Sequence, residues 1–194
     1  MKVIVGCEES QVICKAFRAK GHEAYSCDVV PCSGGHPEWH IQDDVLNHLG
    51  DGWDLGIFHP MCTHLAVSGA RWFKDKEIVQ NEAIIFFFEC VNAPIPKICI
   101  ENPIGIMSTL YRKPDQYIQP YEYGHPETKK TCLWLKGLPK LVETNNVRDE
   151  MLLLPKKQQN RIHYMSPSDK RSSERSKTYT GWAEAMATQW NFKE

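Results

Sequence analysis

The chain has 194 residues, about one ordinary domain with room for its own core. Its 23 Lys and Arg against 24 Asp and Glu leave a net charge of -1, which excludes a polycation that coats nucleic acid by overall charge. The longest apolar run, residues 83–88, stops at Glu89, far short of the ~20 residues of a membrane span. The N-terminus enters a strand pattern directly, without signal-peptide character, so a soluble intracellular protein is expected. The eight cysteines are then read as free thiols in a reducing compartment, several of them (Cys14, Cys90, Cys99, Cys132) lying inside apolar segments.

In chain order, residues 2–5 predict a strand. Residues 11–20 predict a helix with Val12, Ile13, Ala16 and Phe17 on one face, stopped by Gly21. A second strand over 23–27 ends at Asp28, and the loop 31–37 leads on to Asp43 and Asp44. Residues 54–58 predict a strand, 74–91 a long helix and 97–100 another strand. Strands alternating with helices imply parallel βαβ units, hence an α/β fold with a mostly parallel sheet and helices on both faces. Residues 131–135 predict one more strand, 137–161 are ambiguous, and 166–177 are polar enough for a mobile loop. A short amphipathic helix over 182–190 closes the chain, and no internal repeat is visible.

Two residues stand out. Cys62 follows the strand at 54–58 in His59-Pro60-Met61-Cys62-Thr63, and Glu101 follows the strand at 97–100 in Glu101-Asn102-Pro103. In open α/β sheets the loops at the carboxyl ends of strands form the ligand crevice, so a nucleophile and a carboxylate repeated there face one site. The first turn, Gly6-Cys7-Glu8-Glu9-Ser10, is followed by Asp28 at the end of the second strand, the position of a ribose-binding acid. Two acidic residues in that turn disfavour a pyrophosphate and suit an ammonium or sulfonium group. Cys27, Cys32, His36 and His40 offer zinc ligands without any Cys-x-x-Cys pair, which makes zinc a minority alternative. Lys156, Lys157, Arg161, Lys170, Arg171, Arg175 and Lys177 form a local basic patch of the kind phosphates attract.

Taken in order, these segments resemble the DNA cytosine C5-methyltransferases, particularly the compact methyltransferase-like proteins of phages and prophages. Pro60-Met61-Cys62 is similar to the family's Pro-Cys loop with one inserted residue, and Glu101-Asn102 to its Glu-Asn motif. Tyr123-Gly124-x-Pro126-Glu127-x-Lys129-x-Thr131 is similar to its Tyr-Gly-x-Pro-Gln-x-Arg-x-Arg segment. The chain departs from the family in three places. It lacks the Phe-x-Gly-x-Gly turn, it carries Lys129 and Thr131 for the two arginines, and residues 138–177 stand where a much larger target-recognition region is usual.

The resemblance implies a Rossmann-like class I S-adenosylmethionine-dependent methyltransferase fold over 1–194, with 138–177 as a reduced basic insert. Residues 178–194 are implied to form a C-terminal helix returning to the cofactor pocket. It implies transfer of a methyl group from S-adenosyl-L-methionine to C5 of cytosine in DNA, either a duplex with the base flipped out or a single strand. Cys62 is implied as the nucleophile at C6, a protonated Glu101 as the acid at N3, and Lys129 as compensating charge near the base. Cofactor contacts fall on Gly6, Cys7, Glu8, Ser10, Asp28, Asp44 and Pro60, and substrate contacts on Pro60, Thr63, Asn102 and Lys129. No metal is expected, and the setting implied is the cytoplasm of a bacterial host cell, phage- or prophage-encoded. Modification of a free pyrimidine nucleotide or single-stranded nucleic acid, or a non-catalytic nucleic-acid-binding relic of the fold, stay open as alternatives.

Overall fold

The computed structural model describes residues 1–66, 77–168 and 171–192. Seven strands form one sheet: β1 (Lys2–Gly6), β2 (Glu23–Asp28), β3 (His40–Gln42), β4 (Leu55–Phe58), β5 (Lys97–Pro103), β6 (Gln116–Ile118) and β7 (Thr131–Lys136). Their order is β3-β2-β1-β4-β5-β7-β6. Strands β3, β2, β1, β4 and β5 are mutually parallel, as in a doubly wound nucleotide-binding sheet, and β7 alone runs antiparallel to both its neighbours. The fold is therefore α/β and Rossmann-like, with the topological switch point between β1 and β4.

Side-chain alternation divides the core into two layers. Val3 and Val5 of β1, Leu55 and Ile57 of β4, Cys99 of β5 and Leu133 of β7 point to one face. There they meet Ile13, Cys14 and Phe17 of α1 (Val12–Ala19) and Trp182, Met186 and Trp190 of the C-terminal helix (Thr180–Gln189). Ile4, Phe58, Ile98, Ile100 and Trp134 point to the other face, against Phe87 and Cys90 of α2 (Glu77–Asn92). Gly6 and Gly56 leave the room that the Phe58 ring fills: a Cβ at either would stand 2.6 Å from it. These two glycines let an aromatic ring sit directly beneath the switch point.

Several elements depart from the sequence expectation. The three-residue strands β3 and β6 have too little periodicity of their own and exist because β2 and β7 offer unpaired edges. After the short helix α3 (Met107–Leu110), the ambiguous stretch holds α4 (Arg148–Leu153), α5 (Lys156–Gln159) and the start of α6 (Arg161–Tyr164). Within 166–177, expected as a loop, Arg171–Ser176 is helical (α7), so the C-terminal helix is α8. Residues 74–76 of the expected long helix, and Ser68 and Gly69 after the Cys62 loop, lie outside the described residues. So does Lys170. Among the described residues no helix is long and apolar enough to cross a membrane.

Candidate active site

The loop after β4 is locked to the end of β5, which runs on to Pro103 beyond the expected residue 100, and to the turn that follows it. Asn102, only 1 % exposed, donates from Nδ2 to the Pro60 carbonyl at 2.7 Å, and the Ile106 N–H donates to the Leu65 carbonyl at 2.9 Å. Gly105 passes so close that a Cβ there would stand 2.1 Å from the Leu65 oxygen. Cys62 opens a single 3-10 turn, Cys62–His64, between these ties. The Cys62 loop is thus held to the strand that carries Glu101.

Cys62 reaches solvent. Its thiol is raised above the ordinary value, first by the packing around the sulfur and then by the negative charge of Glu101, while Lys129 and Arg175 pull it down. Cys62, Glu101 and Lys129 therefore share one electrostatic field. Glu101 lies at 13 % side-chain exposure, and its Oε2 is 2.9 Å from His59 Nδ1. Burial raises this carboxyl, but the His59 hydrogen bond and charge, Lys129 and the Thr131 hydroxyl lower it further, leaving it below the ordinary value. Glu101 is accordingly a carboxylate at rest near neutral pH. The imidazole 42 residues upstream stabilises the ion, so a protonated Glu101 has to be reached during the reaction.

Lys129 bridges this centre to the C-terminal helix, its ammonium lying 5.7 Å from the Tyr179 ring centroid and 5.8 Å from that of Trp182. The segment 123–129 is held by α8: His125 Nε2 accepts the Gly181 N–H at 3.1 Å, and a Cβ on Gly181 would overlap the Tyr123 carbonyl at 1.9 Å. Glu127, where the family pattern has Gln, is 8 % exposed and takes both hydrogen bonds of an Arg161 fork at 2.8 and 2.9 Å. Arg161 is thereby tied to Glu127, while its side chain stays 52 % exposed.

The first loop behaves differently from its sequence reading. Glu8, 3 % exposed, folds back onto α1, where Oε1 accepts the Ile13 N–H at 2.6 Å and Oε2 the Cys14 N–H at 3.2 Å. It caps a helix whose own N-cap residue makes no side-chain cap. Burial lifts its carboxyl to about 7. Cys7 and Gln11 adopt positive φ of 60° and 58°, the left-handed region that glycine ordinarily fills and that costs other residues about 1–2 kcal/mol. Buried Gln11 uses it to grip the His36 backbone, donating to its carbonyl at 2.8 Å and accepting its N–H at 3.0 Å. Asp28, half-buried at the end of β2, and exposed Asp44 both act on the Cys7 thiol, so the three surround one place at the switch point. Asp28 accepts the Val30 N–H at 3.2 Å and Asp44 that of Leu46 at 3.0 Å.

The sequence-named residues thus divide. Cys62, Glu101 and Lys129 come together, with Thr63 exposed beside them; Gly6, Cys7, Asp28 and Asp44 lie around the switch point, and Ser10 is half-buried in the same loop. Glu8, Pro60 and Asn102 are buried, Glu8 capping α1 and Asn102 holding the Pro60 carbonyl. Cys27, His36 and His40 have other partners: the Asp43 carbonyl, Glu38, and Ser26 with the Val30 carbonyl. Among the described residues no group of three or more side chains converges as metal ligands. His59, Thr131 and Arg175 act on the site without having been assigned to it: Thr131 stood out only as the replacement of a motif arginine, Arg175 only as part of the basic patch, and His59 only by its place directly before Pro60 at a strand exit.

No family model and no curated protein matches this chain. Among solved structures it is similar to an E. coli prophage-encoded protein described as a DNA modification methyltransferase (16 % identity, 79 % of this chain and 55 % of that one, TM-score 0.47). It is also similar to the Dnmt2 methyltransferase of S. pombe (12 %, 88 % and 61 %, 0.48) and to the methyltransferase EhMeth of Entamoeba histolytica (14 %, 87 % and 63 %, 0.49). The chain spans between 55 and 63 % of the length of these structures. The likeness is distant, and the chemistry rests on the site's own geometry.

Proposed function

We propose that this protein is a methyltransferase that modifies C5 of cytosine in DNA, with Cys62 adding to C6 of the ring. The observation that carries this reading is the locked pair of loops, which sets a solvent-reachable thiol in the field of a buried carboxylate and a lysine. Pyrimidine C5 is a weak carbon nucleophile, and thiolate addition at C6 makes it enamine-like. Cys62 supplies the sulfur, losing its proton to solvent. Lys129, held by two aromatic faces, stabilises both the thiolate and negative charge developing on the ring. Glu101 faces the ring edge, and Asn102 and Thr131 keep loop and carboxylate in place.

The switch point suits S-adenosyl-L-methionine: Asp28 ends β2 where a ribose acid is needed, and Asp44 adds negative charge beside the left-handed turn at Cys7. Bound there, the cofactor would supply an electrophilic methyl group. Arg175 of α7 acts on Cys62 itself, and Arg171 stands on the same helix. They serve as phosphate contacts.

The test is covalent capture on 5-fluorocytosine with S-adenosylmethionine, offered in duplex DNA, in single strands and as the free nucleotide. A DNA adduct lost in Cys62→Ala supports the reading. Capture on the nucleotide alone removes DNA as substrate, and no capture on any form removes the thiol chemistry.

A further inference from the structure

We propose that His59 is a positioning residue for Glu101 and that the pair jointly holds the proton which the ring N3 takes up when Cys62 adds to C6. This rests on the C5 reading above. The imidazole is fixed from both ends: its backbone N–H donates to the Gly6 carbonyl at 3.1 Å, and Nδ1 lies 2.9 Å from Glu101 Oε2. Both side chains are 13 % exposed. With Glu101 ionised, the hydrogen between them belongs to Nδ1, because a carboxylate has only acceptors. Nε2 is then left buried, with no hydrogen-bond partner among the described residues. A buried polar nitrogen left open beside a reactive thiol loop is the unusual feature here.

Charged groups face the pair from every side. Glu101 meets Lys129 and the Thr131 hydroxyl from the β7 side and Cys62 from the β4 loop, while Glu8 of the first loop acts on His59. An ionised Glu101 has nothing to give N3. An imidazole that carries a hydrogen on each nitrogen supplies what the carboxylate lacks.

The balance is as follows. Cys62 gives its proton to solvent. Sulfur bonds to C6, the C5=C6 pair moves to C4–C5, the C4=N3 pair moves to N3, and N3 takes one proton from the pair, leaving neutral His59 and ionised Glu101. Reversal breaks the S–C6 bond, and N3 returns the proton. A hydrogen gained by C5 from solvent in the adduct and another lost to it exchange C5–H without any cofactor.

The experiment measures tritium release from [5-³H]cytosine DNA, without cofactor, against pH, together with carbon-13 titration of the Glu101 carboxyl in the free protein. Wild type should show an acid-side break from the proton held by the pair and an alkaline one from Cys62. In His59→Gln, release at neutral pH should fall on the order of 100-fold. Its acid-side break should move to the pH at which Glu101 titrates in the same variant, above its wild-type value. His59→Asn, shorter but still an amide, should move the break likewise. A slower variant with unmoved break, or an unmoved Glu101 titration, overturns the role of His59. Absence of release from wild type on any cytosine substrate overturns the C5 reading itself, and the N3 step with it.

Discussion

Glu8 and Glu101 stand at the same edge of the sheet, one just after β1 and one in the last residues of β5, and both lie in the protein's interior. Glu8 meets two backbone N–H groups at a helix start and also feels the charge of His59, yet burial lifts it to about 7. Glu101 meets an imidazole, a lysine and a hydroxyl, and falls below the ordinary carboxylate value. Burial alone therefore does not mark a catalytic acid; the partners decide. The carboxylate that a helix consumes is architecture, and the one set among charges and a thiol is available for chemistry.

Exchanging each acid for its amide tests that contrast most severely. Glu101→Gln should slow adduct formation on 5-fluorocytosine DNA by about 10²–10⁴-fold at neutral pH, the span of a lost proton-transfer group. An unaffected rate would return Glu101 to a structural role. Glu8→Gln should act on stability. Its folded value of about 7 stands above the ordinary 4.5, so its contribution is fully present below about pH 4.5 and is lost as pH rises through 7, a swing of about 3 kcal/mol. Urea midpoints from pH 4 to 8 should show wild type declining relative to Glu8→Gln, and parallel curves would contradict the burial argument.

Asn102→Ala should cost about 1–3 kcal/mol, because the Pro60 carbonyl loses its donor, and should also slow adduct formation by loosening the Cys62 loop. Loss of stability without loss of rate would separate the clamp from the chemistry. The smallest effect belongs to Arg161→Ala. Its side chain is 52 % exposed, so the Glu127 fork should contribute no more than about 1 kcal/mol. The salt slope of DNA binding should stay unchanged, whereas a phosphate contact would reduce it by about one.

The parallel strands and their order of appearance were legible because apolar alternation is a local property: Val3, Val5, Leu55, Ile57, Ile98 and Ile100 declare their faces without help. Cys62 and Glu101 were legible for a related reason, since a strand followed by a Pro-bearing loop marks the crevice edge. The strands β3 and β6 were not, because a three-residue pairing takes its stability from its neighbour. Nor was the engagement of Arg161, whose partner Glu127 lies 34 residues away.

By itself, the sequence determined an α/β sheet with a thiol and a carboxylate at adjacent strand exits, because strand periodicity and loop chemistry are written residue by residue. Tertiary structure alone decided the charge states. Glu8 turned inward to cap α1, and Glu101 met His59 across 42 residues of chain. Proton affinity depends on which partners stand within a few ångströms, and only folding brings those partners together.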